Sequence, residues 1–125
     1  MRSDRNSLYI LVVENDDIYR RWLSFALRQA DYHVEACGDY EEASELVGDE
    51  QRSIDLMLLD LWQPFQSAYD WSQRLLEQRP EAKLLFMSVQ TRDQLDLEGV
   101  VVEEDMFLQK PCPRQDLLSK LRELL

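Results

Sequence analysis

A strand that is apolar at consecutive positions has no face to offer to water, so it must lie inside a sheet covered on both sides. This sequence contains such strands and separates them with helical patterns. LYILVV (residues 8–13) reads as the first, by its length and β-branched content. The run stops at ENDD (14–17), where Asn15 and Asp16 can cap a helix. Ile18, Trp22, Phe25 and Ala26 recur at helical spacing, which predicts that helix to about Ala30 with these residues as its apolar stripe. YHVEAC (32–37) alternates and predicts a short strand. DYEEASELV (39–47) opens on Asp39 with Glu42 three residues on, a capping-box pattern for a second helix. IDLMLLD (54–60) is a third strand, apolar on both faces.

Ser67 and Asp70 form another capping-box pattern before YDWSQRLLEQR (69–79), which Pro80 ends. KLLFMS (83–88) is a fourth strand and MFLQ (106–109) a short fifth. Pro113 opens a last helix with Leu117, Leu118, Leu121, Leu124 and Leu125 on one face. Between the fourth and fifth strands, RDQLDLEGVVVEED (92–105) holds Gly99 and three successive valines. These are poor helix formers, so a short or irregular fourth helix is expected. Strands alternating with amphipathic helices, joined by right-handed crossovers, predict an α/β fold built on a doubly wound five-stranded parallel sheet. The length of 125 residues fits one such domain, read as residues 8–125 behind a polar tail at 1–7.

Composition narrows the function. The chain is 45% hydrophobic and 31% charged, which is globular. Its net charge of -11 argues against a nucleic-acid partner, which needs clustered Lys and Arg. No apolar run approaches the ~20 residues of a membrane span, and MRSDRNS is no signal peptide, so no membrane association and a cytoplasmic location are expected. Cys37 and Cys112 lack metal-type spacing and His33 is the only histidine, which disfavours zinc and histidine-based catalysis.

In an open parallel sheet, ligands bind outside the carboxyl ends of the strands. There the sequence places Glu14, Asn15 and Asp16 after the first strand, Asp60 at the end of the third, Ser88 at the end of the fourth and Lys110 after the fifth. Singly, each has an ordinary explanation as a cap, a strand-end hydroxyl or a solvated charge. Together they describe a phosphoryl-acceptor site. Carboxylates hold a hard cation such as Mg2+, while a lysine and a hydroxyl neutralise and orient the transferred group.

These residues resemble a known family. ILVVENDD (10–17), LMLLDLWQP (56–64), LLFMS (84–88) and FLQKP (107–111) are similar to the motifs of the receiver domain of two-component response regulators, chemotaxis-regulator-like, over about residues 8–125. The resemblance implies a flavodoxin-like (βα)5 fold. It implies a signalling phosphoacceptor rather than an enzyme, with slow self-dephosphorylation at most. Asp60 would accept phosphate from a histidine kinase or histidine phosphotransfer protein and switch a surface that binds a downstream protein. Glu14, Asn15, Asp16 and Asp60 would bind Mg2+, and Ser88 and Lys110 the phosphoryl group. Ser88 and Phe107 would form the switch, Trp62 and Gln90 would tune dephosphorylation, and Lys110 and Pro111 often join through a cis bond.

The sequence also departs from the family pattern. Asn15 stands where a carboxylate is usual, which implies weak Mg2+ binding. Ala68, in PFQSA (64–68), stands where glycine tolerates an unusual turn, which implies a reshaped loop after Asp60. Val89 replaces a small alanine beside Ser88, and the unusual stretch 92–105 alters a surface that many receivers use to dimerise. These departures keep open a degenerate receiver that acts as a phosphorylation-independent interaction module. A flavodoxin-like enzyme or cofactor binder would want a phosphate loop after the first strand, and ENDD has the opposite charge.

Overall fold

The computed structural model describes residues 8–125, so the expected tail at 1–7 lies outside the described residues. The chain runs β1 (Tyr9–Val13), α1 (Asp17–Gln29), β2 (His33–Cys37), α2 (Tyr40–Val47), β3 (Leu56–Asp60), α3 (Phe65–Gln78), β4 (Lys83–Ser88), α4 (Arg92–Leu97), β5 (Phe107–Gln109) and α5 (Arg114–Leu124). The strands pair in parallel in the order β2-β1-β3-β4-β5. The doubly apolar strands β1, β3 and β4 are the inner three, and the alternating β2 forms an edge. The chain order reverses between β1 and β3, which opens a crevice at their carboxyl ends.

Side chains alternate across the sheet with a period of two residues. Ile10 and Val12 of β1, Leu56 and Leu58 of β3, and Leu85 and Met87 of β4 pack with Leu23 and Leu27 of α1 and Leu117 and Leu121 of α5. Their neighbours Leu11, Val13, Met57, Leu59, Leu84 and Phe86 pack with α2, α3 and α4 through Ala43, Phe65, Leu75 and Leu95. Emptying one such position, as in Leu58→Ala, would cost about 2–5 kcal/mol.

Three local expectations change. The stripe expected on α1 is rotated: Ile18 and Phe25 are 79% and 58% exposed, and Leu23, Ala26 and Leu27 are buried. Tyr19, Trp22 and Ala30 join that buried side, giving a longer continuous stripe than the one through Ile18 and Phe25. Helix α3 begins at Phe65 behind Pro64, with no side-chain cap, so Ser67 lies inside the helix rather than capping it. Burial of Phe65 and Ala68 against the sheet fixes that earlier start. Ala68 is therefore helical, so the position where a turn was expected lies in the first turn of α3. The weak segment behaves as expected. Helix α4 spans Arg92–Leu97, and the chain then leaves it through Gly99 at φ +85°, a left-handed conformation that suits glycine.

Candidate functional site

Continuing the two-residue alternation past the strand ends places three charged residues on one side of the sheet. Glu14 comes after Ile10 and Val12, Asp60 after Leu56 and Leu58, and Lys110 after Leu108, all directed to the α1–α5 layer. Their side chains meet. Lys110 Nζ lies 2.8 Å from Glu14 Oε1 and 3.2 Å from Asp60 Oδ2. Glu14 is fully buried and Asp60 is 3% exposed. Tyr19 of α1 lies beneath the lysine, with Nζ 4.8 Å from its ring centre. The Lys110–Pro111 bond is cis, as the resemblance implied.

Two buried carboxylates thus share one ammonium, and the balance is negative. Burial, and then the charge of Glu14, push the Asp60 carboxyl up to about 7, against the opposing pull of Lys110. Burial works to lower the Lys110 ammonium, but the Glu14 hydrogen bond and the Asp60 charge outweigh it and raise the pKa. An uncompensated negative charge among oxygen donors suits a divalent cation. Mg2+ in particular is often held by one or two carboxylates, a phosphate and waters. Glu14 and Asp60 are the residues here that would hold it, with exposed Asn15 beside them as a neutral oxygen.

Asp16 does not join this set. Its carboxylate caps α1, as the sequence predicted, with Oδ1 accepting from the amides of Ile18 and Tyr19 at 2.9 and 3.0 Å. The Tyr19 amide is the main reason its carboxyl is held below the usual range. Glu14 Oε2 accepts from the Asp16 amide, which fixes the glutamate from its far side. Among the described residues, no three His, Cys, Asp or Glu side chains gather as a preformed metal cluster.

The residues expected to switch and to tune are placed as follows. Ser88 is fully buried; its hydroxyl donates to the Leu61 carbonyl at 3.0 Å and accepts from the Gln90 amide at 3.1 Å. Phe107 is half-buried at the start of β5, packed against the α2–α3–α4 layer. Trp62 is half-buried, and its ring lies 5.2 Å from that of Tyr40, on the α2 side. Val89 is 61% exposed. Two residues were missed by sequence reasoning: Tyr19 under Lys110, and Tyr40, whose hydroxyl donates to the Asp60 carbonyl at 2.8 Å. Both occupy ordinary apolar helix positions, and no spacing distinguishes them from core aromatics.

With this geometry in place, comparison with known proteins is specific. Residues 10–122 match the response regulator receiver domain family. The chain is 28% identical over 116 residues to the response regulator receiver protein CpdR of Brucella abortus, covering 93% of this chain and 95% of CpdR. It is 23% identical over 124 residues to the probable transcriptional regulatory protein TcrX of Mycobacterium tuberculosis, covering 99% of this chain but only 52% of TcrX. The chain therefore spans about half the length of several curated relatives. Among solved structures, the response regulator protein TrrA of Thermotoga maritima, in complex with Mg2+–BeF, superposes with a TM-score of 0.75 at 23% identity, over 94% of this chain and 99% of that one.

Proposed function

The chain belongs to the response regulator receiver domain family, which works in phosphorylation-based two-component signalling, and on that premise we propose that Asp60 is its phosphoacceptor. The observation that carries this reading is the convergence of Glu14, Asp60 and Lys110 at the crevice of the sheet. A carboxylate oxygen of Asp60 forms the bond to phosphorus. The phosphorus–nitrogen bond of a donor phosphohistidine breaks, and the imidazole leaves with the electron pair. The donor is a histidine kinase or a histidine phosphotransfer protein. Lys110, already 3.2 Å from Asp60, stays beside the new phosphoryl oxygens and offsets their charge. Mg2+, held by Glu14 and Asp60, would supply further neutralisation of the transferred group.

Ser88 is spent on the Leu61 carbonyl in this form. To reach a phosphoryl oxygen it must release that carbonyl, and Phe107 then moves into the space vacated. The change is a shift between two populations separated by a few kcal/mol, and it alters a surface for a downstream protein. Trp62 and Gln90 set how quickly water removes the phosphate, and self-dephosphorylation is slow. The location is cytoplasmic, consistent with free Cys37 and Cys112 and with the absence, among the described residues, of any helix long and apolar enough to cross a membrane.

The test is incubation with acetyl phosphate and Mg2+, read by intact mass. The parent gains one phosphoryl group and Asp60→Asn gains none. A parent that gains nothing is the degenerate interaction module instead, and an Asp60→Asn variant that gains one as fast as the parent removes the assignment.

A further inference from the structure

Tyr40 opens α2 and is 4% exposed. It belongs to the layer opposite the Asp60 side chain, yet its hydroxyl donates 2.8 Å to the Asp60 backbone carbonyl. The next carbonyl along, that of Leu61, accepts from Ser88. Two hydroxyls, one from α2 and one from β4, therefore hold two consecutive carbonyls at the acceptor. Only Ser88 must let go when the domain switches. The Tyr40 ring is itself held by aromatic neighbours, 5.2 Å from Trp62 and 6.4 Å from Trp71 between ring centres. Arg74 closes the far end, with its guanidinium carbon 4.1 Å from the Trp71 ring centre. Trp62 and Trp71 are both half-buried, so this aromatic row runs from the acceptor peptide to the surface between α2 and α3.

We propose that Tyr40 is a positioning residue for Asp60 and the contact through which the state of Asp60 reaches the Trp62–Trp71 face. This rests on the reading of Asp60 as phosphoacceptor. Phosphoryl transfer is governed by the placement of the attacking oxygen, and small displacements cost large factors in rate. A tyrosine packed against two indoles has few positions for its hydroxyl, so the carbonyl it holds is fixed from outside the sheet. The same rigidity works in reverse. A well-packed interior transmits strain rather than absorbing it, so a change at Asp60 that moves its peptide moves Tyr40 and the indoles stacked along it. Burial and then the Asp60 charge keep the phenol protonated, so it remains a donor.

Tyr40→Phe keeps the ring and removes the hydroxyl. The experiment uses the whole chain with Trp22→Phe added, so that indole emission comes from Trp62 and Trp71 alone. Phosphorylation by acetyl phosphate with Mg2+ is monitored by intact mass across donor concentrations, and emission is monitored on adding beryllofluoride with Mg2+. We expect Tyr40→Phe to lower the rate at saturating acetyl phosphate by roughly three- to tenfold. Half-saturation stays at the parental value, and the emission change falls to less than about half. A purely structural tyrosine would not divide the two kinetic constants in this way. A parental saturating rate or a parental emission change in Tyr40→Phe overturns the proposal. A parent that takes up no phosphate removes the Asp60 reading and the proposal with it, whereas a phosphorylated parent with an unaffected variant removes the proposal alone. If Tyr40→Phe does not fold, 13C-tyrosine NMR of the parent decides. A Tyr40 ring resonance displaced by beryllofluoride supports the proposal, and an unmoved one overturns it.

Discussion

Replacing Asp60 with asparagine should make the protein more stable, and by an amount that depends on pH. The ordinary carboxyl value of 3.8 applies to the unfolded chain, and the folded value is about 7. Below about pH 4 the carboxyl is protonated in both states, and Asp60 and an asparagine are nearly equivalent. As pH rises from about 4 to about 7, the unfolded chain ionises first and gains free energy that the folded state does not share. The parent loses stability through that window, and above about 7 the deficit is constant. At about 1.4 kcal/mol per pH unit, the rise corresponds to a cost on the order of 4 kcal/mol. A buried charge draws in water and relaxes its surroundings, so we expect about half of this, about 2 kcal/mol, at pH 8. Urea unfolding with a chelator present measures it. For a small domain the midpoint should rise by roughly 1 M in Asp60→Asn at pH 8 and converge on the parent near pH 4. Equal midpoints at pH 8, or a gap that does not narrow on acidification, would show that burial and the Glu14 charge together do not penalise an ionised Asp60, and would refute the charge balance of the site.

Three further outcomes are expected. Asp16→Ala should cost about 1 kcal/mol as a lost helix cap while leaving Mg2+ affinity near the parental value; a large loss of affinity in a metal titration would make Asp16 a ligand as well as a cap. Asn15→Asp should raise Mg2+ affinity by placing a third carboxylate beside the pair and should lower stability in chelator; a titration without gain would take Asn15 away from the metal. Trp62→Asn should speed the loss of phosphate from the isolated phosphorylated protein, and a lifetime equal to the parent's would limit Trp62 to its packing on Tyr40.

Strand periodicity carried much of the site. Because successive side chains alternate with a fixed period, the apolar runs ending at Val13 and Leu59 already placed Glu14 and Asp60 at strand ends, which the sheet makes neighbours. The breakdown of helix formers after Leu97 was an equally local signal, and the short α4 agrees with it. Helix orientation was harder. The α1 sequence offers two overlapping apolar stripes, and only the competition to cover Ile10 and Val12 turns Leu23 and Leu27 inward and leaves Phe25 in water.

The sequence by itself determined the order of strands and helices and which functional groups stand at the carboxyl edge. These come from backbone geometry repeated every two residues or every 3.6. The tertiary structure alone decided how each group is used. Lys110 pairs with Glu14 across 96 positions, and Tyr40 reaches the Asp60 carbonyl across 20. Contacts at that separation depend on how the layers pack, and a local period carries no information about which partner the packing will bring.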